Sequence, residues 1–162
     1  MEIDNTKKSV RINQIKYISI IIFLVLVIVL LTTPLVSDEF LGFNNNQWAV
    51  VVTLIYILVN IYEYLKDYNY IYFSDSGEKL LFRYVSLRPF HNKRYSIEID
   101  KRNFRGYEIR NGTLGLNRKI MFYVKTQQGT AKYPPVSISA LGGDEFNQLK
   151  HALNKHSGVK NG

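Results

Sequence analysis

The sequence predicts a membrane helical hairpin joined to an α+β domain, a small antiparallel β-barrel or sandwich of six or seven strands capped by a C-terminal helix. Three features predict it. Two long runs in the first 65 residues carry almost no charge, and the middle of the chain alternates apolar and polar residues between glycine-containing turns. The last periodic segment repeats its apolar residues every three or four positions, as one face of a helix does. A chain of 162 residues with a formal charge of +8 usually holds one domain, here with an appendage. It has no cysteine, so it forms neither a disulfide nor a thiolate metal site.

Residues 1–16 read as a basic cytoplasmic N-terminus carrying Lys7, Lys8, Arg11 and Lys16. YISIIIFLVLVIVLLTTPLV, residues 17–36, is uncharged and twenty residues long, enough for a hydrocarbon core of roughly 30 Å. Its many Ile and Val residues would favour a strand in water. In lipid the backbone has to satisfy its own hydrogen bonds, so a helix is expected. The basic flank suits a signal peptide, but the apolar run exceeds the usual length of roughly 7–15 residues. No A-x-A site follows it, so a retained anchor is expected.

Residues 48–65, WAVVVTLIYILVNIYEYL, form the second expected span, uncharged from Trp48 to Tyr62. Trp48 at one end and Tyr62 and Tyr64 at the other suit interfacial aromatic belts. Thr53, Tyr56 and Asn60 recur at spacings of three and four, which puts them on one helix face. They are a candidate intramembrane polar face, able to bond to the first span or to another protein; alternatively, Asn60 meets water near the interface. The intervening loop, residues 37–47, carries Asp38 and Glu39 and no positive charge, and Phe40, Leu41 and Phe43 suit the outer interface. The positive-inside rule then places both termini in the cytoplasm and the loop outside.

Residues 66–157 are expected to form the cytoplasmic domain, with a loose tail over 158–162. From Lys66 onward, 17 Lys and Arg outweigh 8 Asp and Glu, a net charge of +9 placed next to a membrane whose inner leaflet is anionic. YNYIYFS (68–74) and KLLFRYVSLR (79–88) form a hairpin across DSGEK, and Pro89 ends it. RYSIEID (94–100) alternates, with Tyr95, Ile97 and Ile99 expected inward. RGYEIR (105–110), the turn NGTLGLN (111–117) and KIMFYVKT (119–126) continue the sheet. Pro134 and Pro135 precede a last strand from about Val136, a placement that suits an edge or a strand start. In GGDEFNQLKHALNKH (142–156), Phe146, Leu149 and Leu153 form one apolar stripe. Asp144 and Glu145 lie in its first turn, and Lys150, His151, Lys155 and His156 lie toward its end, in keeping with the helix dipole.

The hydrophobic hairpin, the opening YIYFSDSGEKLLFRYV, the middle YSIEIDKRNFRGYEI and the close VSISALGGDEFNQLKHAL together resemble the membrane-anchored bacterial pleckstrin-homology-like (PH-like) domain proteins. The resemblance covers residues 1–36 and 48–156 by architecture. It implies a PH-like fold, a bacterial cytoplasmic (inner) membrane location, and no common catalytic residues to carry over. It also implies a scaffold or accessory role, which in some such proteins is tied to membrane-protein assembly or to resistance against membrane-active peptides.

The residues themselves carry no enzyme motif. G-x-S-x-G, P-loop and dinucleotide fingerprints are absent, and His151 and His156 are five apart, which is wrong for a helical metal pair. No catalytic, cofactor or metal site is expected. Asn111-Gly112-Thr113 matches a glycosylation sequon but reads better as a turn. The basic candidates for contact with lipid or a partner are Lys93, Arg94, Arg102, Arg105, Arg118 and Lys119, alongside HNKR (91–94), Lys125 and Lys132. Basic loops hold a phosphate headgroup through charge-assisted bonds, and outward charges also serve solubility alone. Nucleic acid is not expected, because no recognition helix is visible and Phe104 and Tyr107 suit a strand core. The expected function is a non-enzymatic membrane scaffold that binds a protein partner or the anionic membrane surface. The alternative is an immunity or resistance protein that binds a membrane-active toxin or peptide.

Overall fold

The computed structural model describes residues 1–33, 44–88 and 93–157. The chain forms two units, a helical one of Val10–Tyr64 and a β-rich one built from Met1–Ser9 together with Leu65–Gly162.

Helices α1 (Thr6–Thr32) and α2 (Asn45–Lys66) are both long and apolar enough to cross a membrane. In the helical unit they run antiparallel. Asn45 Nδ2 donates to the Thr33 carbonyl at 2.6 Å near one end, and midway the Phe23 and Tyr56 rings stack with centroids 4.0 Å apart. The other faces expose Ile18, Ile21, Leu24, Leu54, Ile55 and Leu58. A helix apolar on every side suits lipid and not water. Helix α1 starts well before the expected span, so Lys7, Lys8, Arg11 and Lys16 lie on the helix itself. Residues 34–36 of the expected first span and 37–43 of the expected loop, with Asp38, Glu39, Phe40, Leu41 and Phe43, lie outside the described residues.

The β-rich unit holds two antiparallel sheets. The first has the order β1 (Glu2–Asp4), β2 (Asn69–Ser74), β3 (Lys79–Ser86), β4 (Arg94–Asp100). The second pairs β5 (Phe104–Asn111) with β6 (Arg118–Thr126). On its other edge β6 meets β7 (Gly129–Lys132) and then β8 (Val136–Ser137). The pairings Lys132↔Tyr123 and Val136↔Ile120 make β7 and β8 one edge, interrupted at Pro134 and Pro135, which have no N–H to donate. Helix α3 (Gly143–His156) packs against β5 and β1, with Glu145 Oε2 accepting from the Gly142 N–H at 2.6 Å at its start.

Residues from both sheets and α3 share one core, including Phe73, Phe82, Phe104, Phe122, Leu149 and Leu153. Phe104 and Tyr107 are buried in it, as the strand pattern predicts.

Residues 66–157 hold seven strand segments among the described residues, within the expected six or seven, and β1 adds an eighth from the N-terminus at the sheet edge. Two expectations change. The barrel is not closed: the sheets stay separate, and α3 lies against an edge strand of each, β5 and β1, where a ladder would otherwise have to form. Tyr95 is not inward but exposed: it lies near the end of the strand, pairs with Tyr84 and covers that ring, with centroids 5.0 Å apart, while Tyr84 itself packs against the core.

Candidate functional site

The predicted basic residues do not form one cluster. β-Pairing sorts them to opposite ends of the β-rich unit. Val85 pairs with both Tyr70 and Arg94, so Arg94 and the adjacent Lys93 lie at the end where β2 begins, just after α2. Asn69, the first residue of β2, donates from Nδ2 to the Ser137 carbonyl at 2.9 Å, and Ser137 pairs with Lys119. Arg118 and Lys119 therefore sit at this same end. Arg102 lies in the turn between β4 and β5, and Arg105 at the start of β5, both at the far end. Lys119 and Arg118 pair with Arg110 and Asn111, five and six residues along β5 from Arg105, a separation of roughly 17–20 Å.

The near end is tied to the chain leaving α2. Asn117 is buried and donates from Nδ2 to the Leu65 carbonyl at 2.8 Å. Gly112 makes room for it, since a Cβ on Gly112 would stand 1.7 Å from Asn117 Oδ1. The loop between β5 and β6 is closed by the Gly112 N–H to the Asn117 carbonyl at 2.8 Å, and its tip is Leu114, with φ of 51°.

The N-terminus is tied in at the same level. Asn5 is fully buried. Its Oδ1 accepts from the Ile71 N–H at 2.8 Å and the Ser9 hydroxyl at 3.1 Å, and its Nδ2 donates to the Asn69 carbonyl at 3.3 Å. Sequence periodicity missed Asn5, since a single polar residue after a three-residue strand has no repeat to reveal it.

The basic side chains differ in their surroundings. Lys93, Arg94, Arg102 and Arg105 are exposed. The Arg118 guanidinium lies over the Phe146 ring of α3 at 5.3 Å, and Lys119 is half-buried. Arg110 holds both carboxylate oxygens of Glu108, at 2.5 and 3.1 Å, and Tyr123 donates to the same carboxylate at 2.6 Å. Hydrogen bonds from Arg110 and Tyr123 hold the Glu108 carboxyl below its usual range.

At the far end Asp75 joins three elements. Lys101 Nζ lies 2.6 Å from its Oδ1 and His156 Nε2 lies 2.9 Å from it, while Lys101 also donates to the Asp75 and Gly77 carbonyls at 2.9 and 2.8 Å. Burial alone would raise the Asp75 carboxyl, but the contacts and charges of Lys101 and His156 outweigh it and leave it lowered. This clasp holds the β2–β3 turn, the β4–β5 turn and the end of α3 together.

In the helical unit, Thr53 and Asn60 turn their polar groups back on their own helix. Thr53 Oγ1 donates to the Ala49 carbonyl and Asn60 Nδ2 to the Tyr56 carbonyl, both at 2.8 Å, while the Tyr56 ring stacks on Phe23. His91 and Asn92 of HNKR lie outside the described residues. Among the described residues no three His, Cys, Asp or Glu side chains converge as metal ligands. Comparison with family models, curated proteins and solved structures gives no significant match for this chain.

Proposed function

We propose that the protein is a non-enzymatic integral membrane accessory protein of the bacterial cytoplasmic membrane, with both termini cytoplasmic. Its β-rich unit, read as a PH-like module, turns its near end to the anionic membrane surface and offers its remaining surface to a protein partner. The observation that carries this reading is the gathering of Lys93, Arg94, Arg118 and Lys119 at the end tied to Leu65 by Asn117. A cation near an anionic leaflet gains on the order of 1 kcal/mol, an attraction that fades within a Debye length of roughly 8 Å. Charges at the far end lie beyond that reach when the near end faces the bilayer.

Chain connectivity supports the same reading. The β-rich unit contains both Met1–Ser9 and the chain from Leu65 onward, so the polypeptide leaves it once and returns. Two crossings satisfy that connectivity, and one crossing does not. The four basic residues of α1 and Lys66 at the end of α2 then fall on the positive-inside face.

The test uses the full chain in lipid nanodiscs, with a fluorophore on Ser96→Cys beside Arg94 and nitroxide-labelled headgroups as quencher. Quenching is expected to rise with anionic lipid, to fall with added salt, and to fall on the double charge reversal Arg94→Glu, Lys119→Glu. Equal quenching in zwitterionic and anionic bilayers at every salt concentration contradicts the reading.

A further inference from the structure

Leu114 is 83% exposed. In the β-rich unit the only other exposed large apolar side chains among the described residues are Met1 and Tyr95, and Tyr95 has Tyr84 stacked on it. Leu114 also holds a left-handed backbone, with φ of 51° and ψ of 22°, which a leucine adopts only when its surroundings impose it. Those surroundings are the Gly112 to Asn117 closure and a second bond from the Gly115 N–H to the Gly112 carbonyl at 3.1 Å. The fold thus holds an apolar side chain outward in a backbone that Asn or Gly would adopt with less strain.

The loop's position is set by the Asn117 bond to Leu65. Leu65 is the last apolar residue of α2, and Lys66 follows it. If α2 crosses a membrane, its apolar run ends at the boundary between acyl chains and headgroups, and Leu65, to which the loop is bonded, marks that end. Leu114 lies three residues from Asn117 on a tight turn, so the two stand at most about 10 Å apart. The headgroup layer on each side of a bilayer is roughly 5–8 Å deep. Arg110, Arg118 and Lys119 stand at the base of the loop, where phosphates would lie.

We propose that the β5–β6 loop is a membrane finger: Leu114 enters the acyl–headgroup boundary of the membrane crossed by the hairpin, and the basic residues at its base meet anionic headgroups. The inference rests on the membrane-spanning reading of α1 and α2. It goes beyond general attraction to an anionic surface by assigning one apolar side chain as the inserted group.

The full chain in anionic nanodiscs tests it. Trp48 is the only tryptophan and reports hairpin insertion through quenching by nitroxide lipids. A fluorophore on Asn111→Cys, an exposed position where β5 runs into the loop, reports the finger, and one on Ser76→Cys reports the far end. Three loop variants are compared: native Leu114, Leu114→Met, and Leu114→Asn, which keeps the left-handed backbone without the apolar group. Quenching at residue 111 by shallow nitroxides is expected for the native and Met chains and should drop at least several-fold for Asn. The residue 76 label should stay unquenched, and Leu114→Asn should unfold in detergent at the same temperature or higher.

Any of five outcomes overturns the proposal. If Trp48 is quenched while residue 111 is not, the finger fails and the hairpin reading stands. If Trp48 is not quenched, both fail. Unchanged quenching in Leu114→Asn shows that Leu114 is not the inserted group, and its earlier unfolding in detergent shows that Leu114 serves the fold instead of the membrane. A residue 111 label shielded in native membranes but open to water in pure lipid assigns the loop to a protein partner.

Discussion

The side-chain amide of Asn117 is bonded to the main-chain oxygen of Leu65 at 2.8 Å, across 52 residues of sequence. Asn5 plays the corresponding part at the other strand of chain, bonding the entry to α1 onto Ile71 and Asn69 of β2. The β-rich unit is assembled from two separate stretches of chain, and a buried asparagine amide fastens each stretch where it meets the hairpin sequence.

Removing the Asn117 amide should leave the Leu65 carbonyl without this donor. Asn117→Ala is expected to cost about 1–3 kcal/mol, the range for losing one partner of a buried hydrogen bond. Gly112→Ala should cost at least as much, because its Cβ would occupy the place of Asn117 Oδ1. Thermal unfolding followed by near-ultraviolet circular dichroism in mild detergent measures both. Native-like unfolding of Gly112→Ala would show that the Asn117 side chain has another place to go.

Asn5→Ala should be more damaging locally than its single-residue size suggests. It leaves the Ile71 N–H, the Asn69 carbonyl and the Ser9 hydroxyl without their asparagine partner at once. The expected loss is again about 1–3 kcal/mol for the buried donor alone. Hydrogen exchange should speed up most at Ile71 and along β1, while the β5–β6 pair keeps its protection. Uniform protection across both sheets would show that β1 contributes little to the fold.

The Asp75 clasp predicts a pH dependence of definite sign. Its folded-state carboxyl is lowered from the ordinary value of 3.8, so its contribution to stability is present above that value and is lost as pH falls through the lower folded value. Wild-type protein should therefore lose stability on acidification below about pH 4 by an increment that Asp75→Asn lacks. Near neutral pH the Asn variant should be the less stable of the two, since Lys101 and His156 lose their charged partner. Parallel stability curves for the two chains between neutral and acid pH would remove Asp75 from this role.

How much of this was legible in the sequence depends on the range of the interactions. The alternation in residues 69–74 and 79–86 declares β2 and β3, and the Phe146, Leu149, Leu153 spacing declares α3, because each pattern is local. Strand β1 is three residues long and gains its identity only from pairing with β2 some seventy residues away. Tyr95 has the parity of an inward residue but lies near the strand end, where its partner Tyr84 takes the place against the core and Tyr95 covers it. The basic candidates were visible as residue types. Their division into two ends was not, since Arg105 and Arg118 are close in sequence and are parted by the length of β5. Leu114 gave no signal, because an exposed leucine in a glycine-flanked turn becomes informative only once its backbone conformation and the loop's tie to Leu65 are fixed.

The proposed topology, in which the hairpin crosses the membrane and the β-rich unit lies on the cytoplasmic side, can be tested directly. Because the chain has no native cysteine, Lys7→Cys and Ser76→Cys can each carry the only thiol in the protein. Labelling with a membrane-impermeant maleimide is compared in intact spheroplasts and in inside-out vesicles. Both thiols should react in inside-out vesicles and stay unreactive in intact spheroplasts. Labelling of either residue from the outside of intact spheroplasts, or of the two residues from opposite sides, contradicts the account.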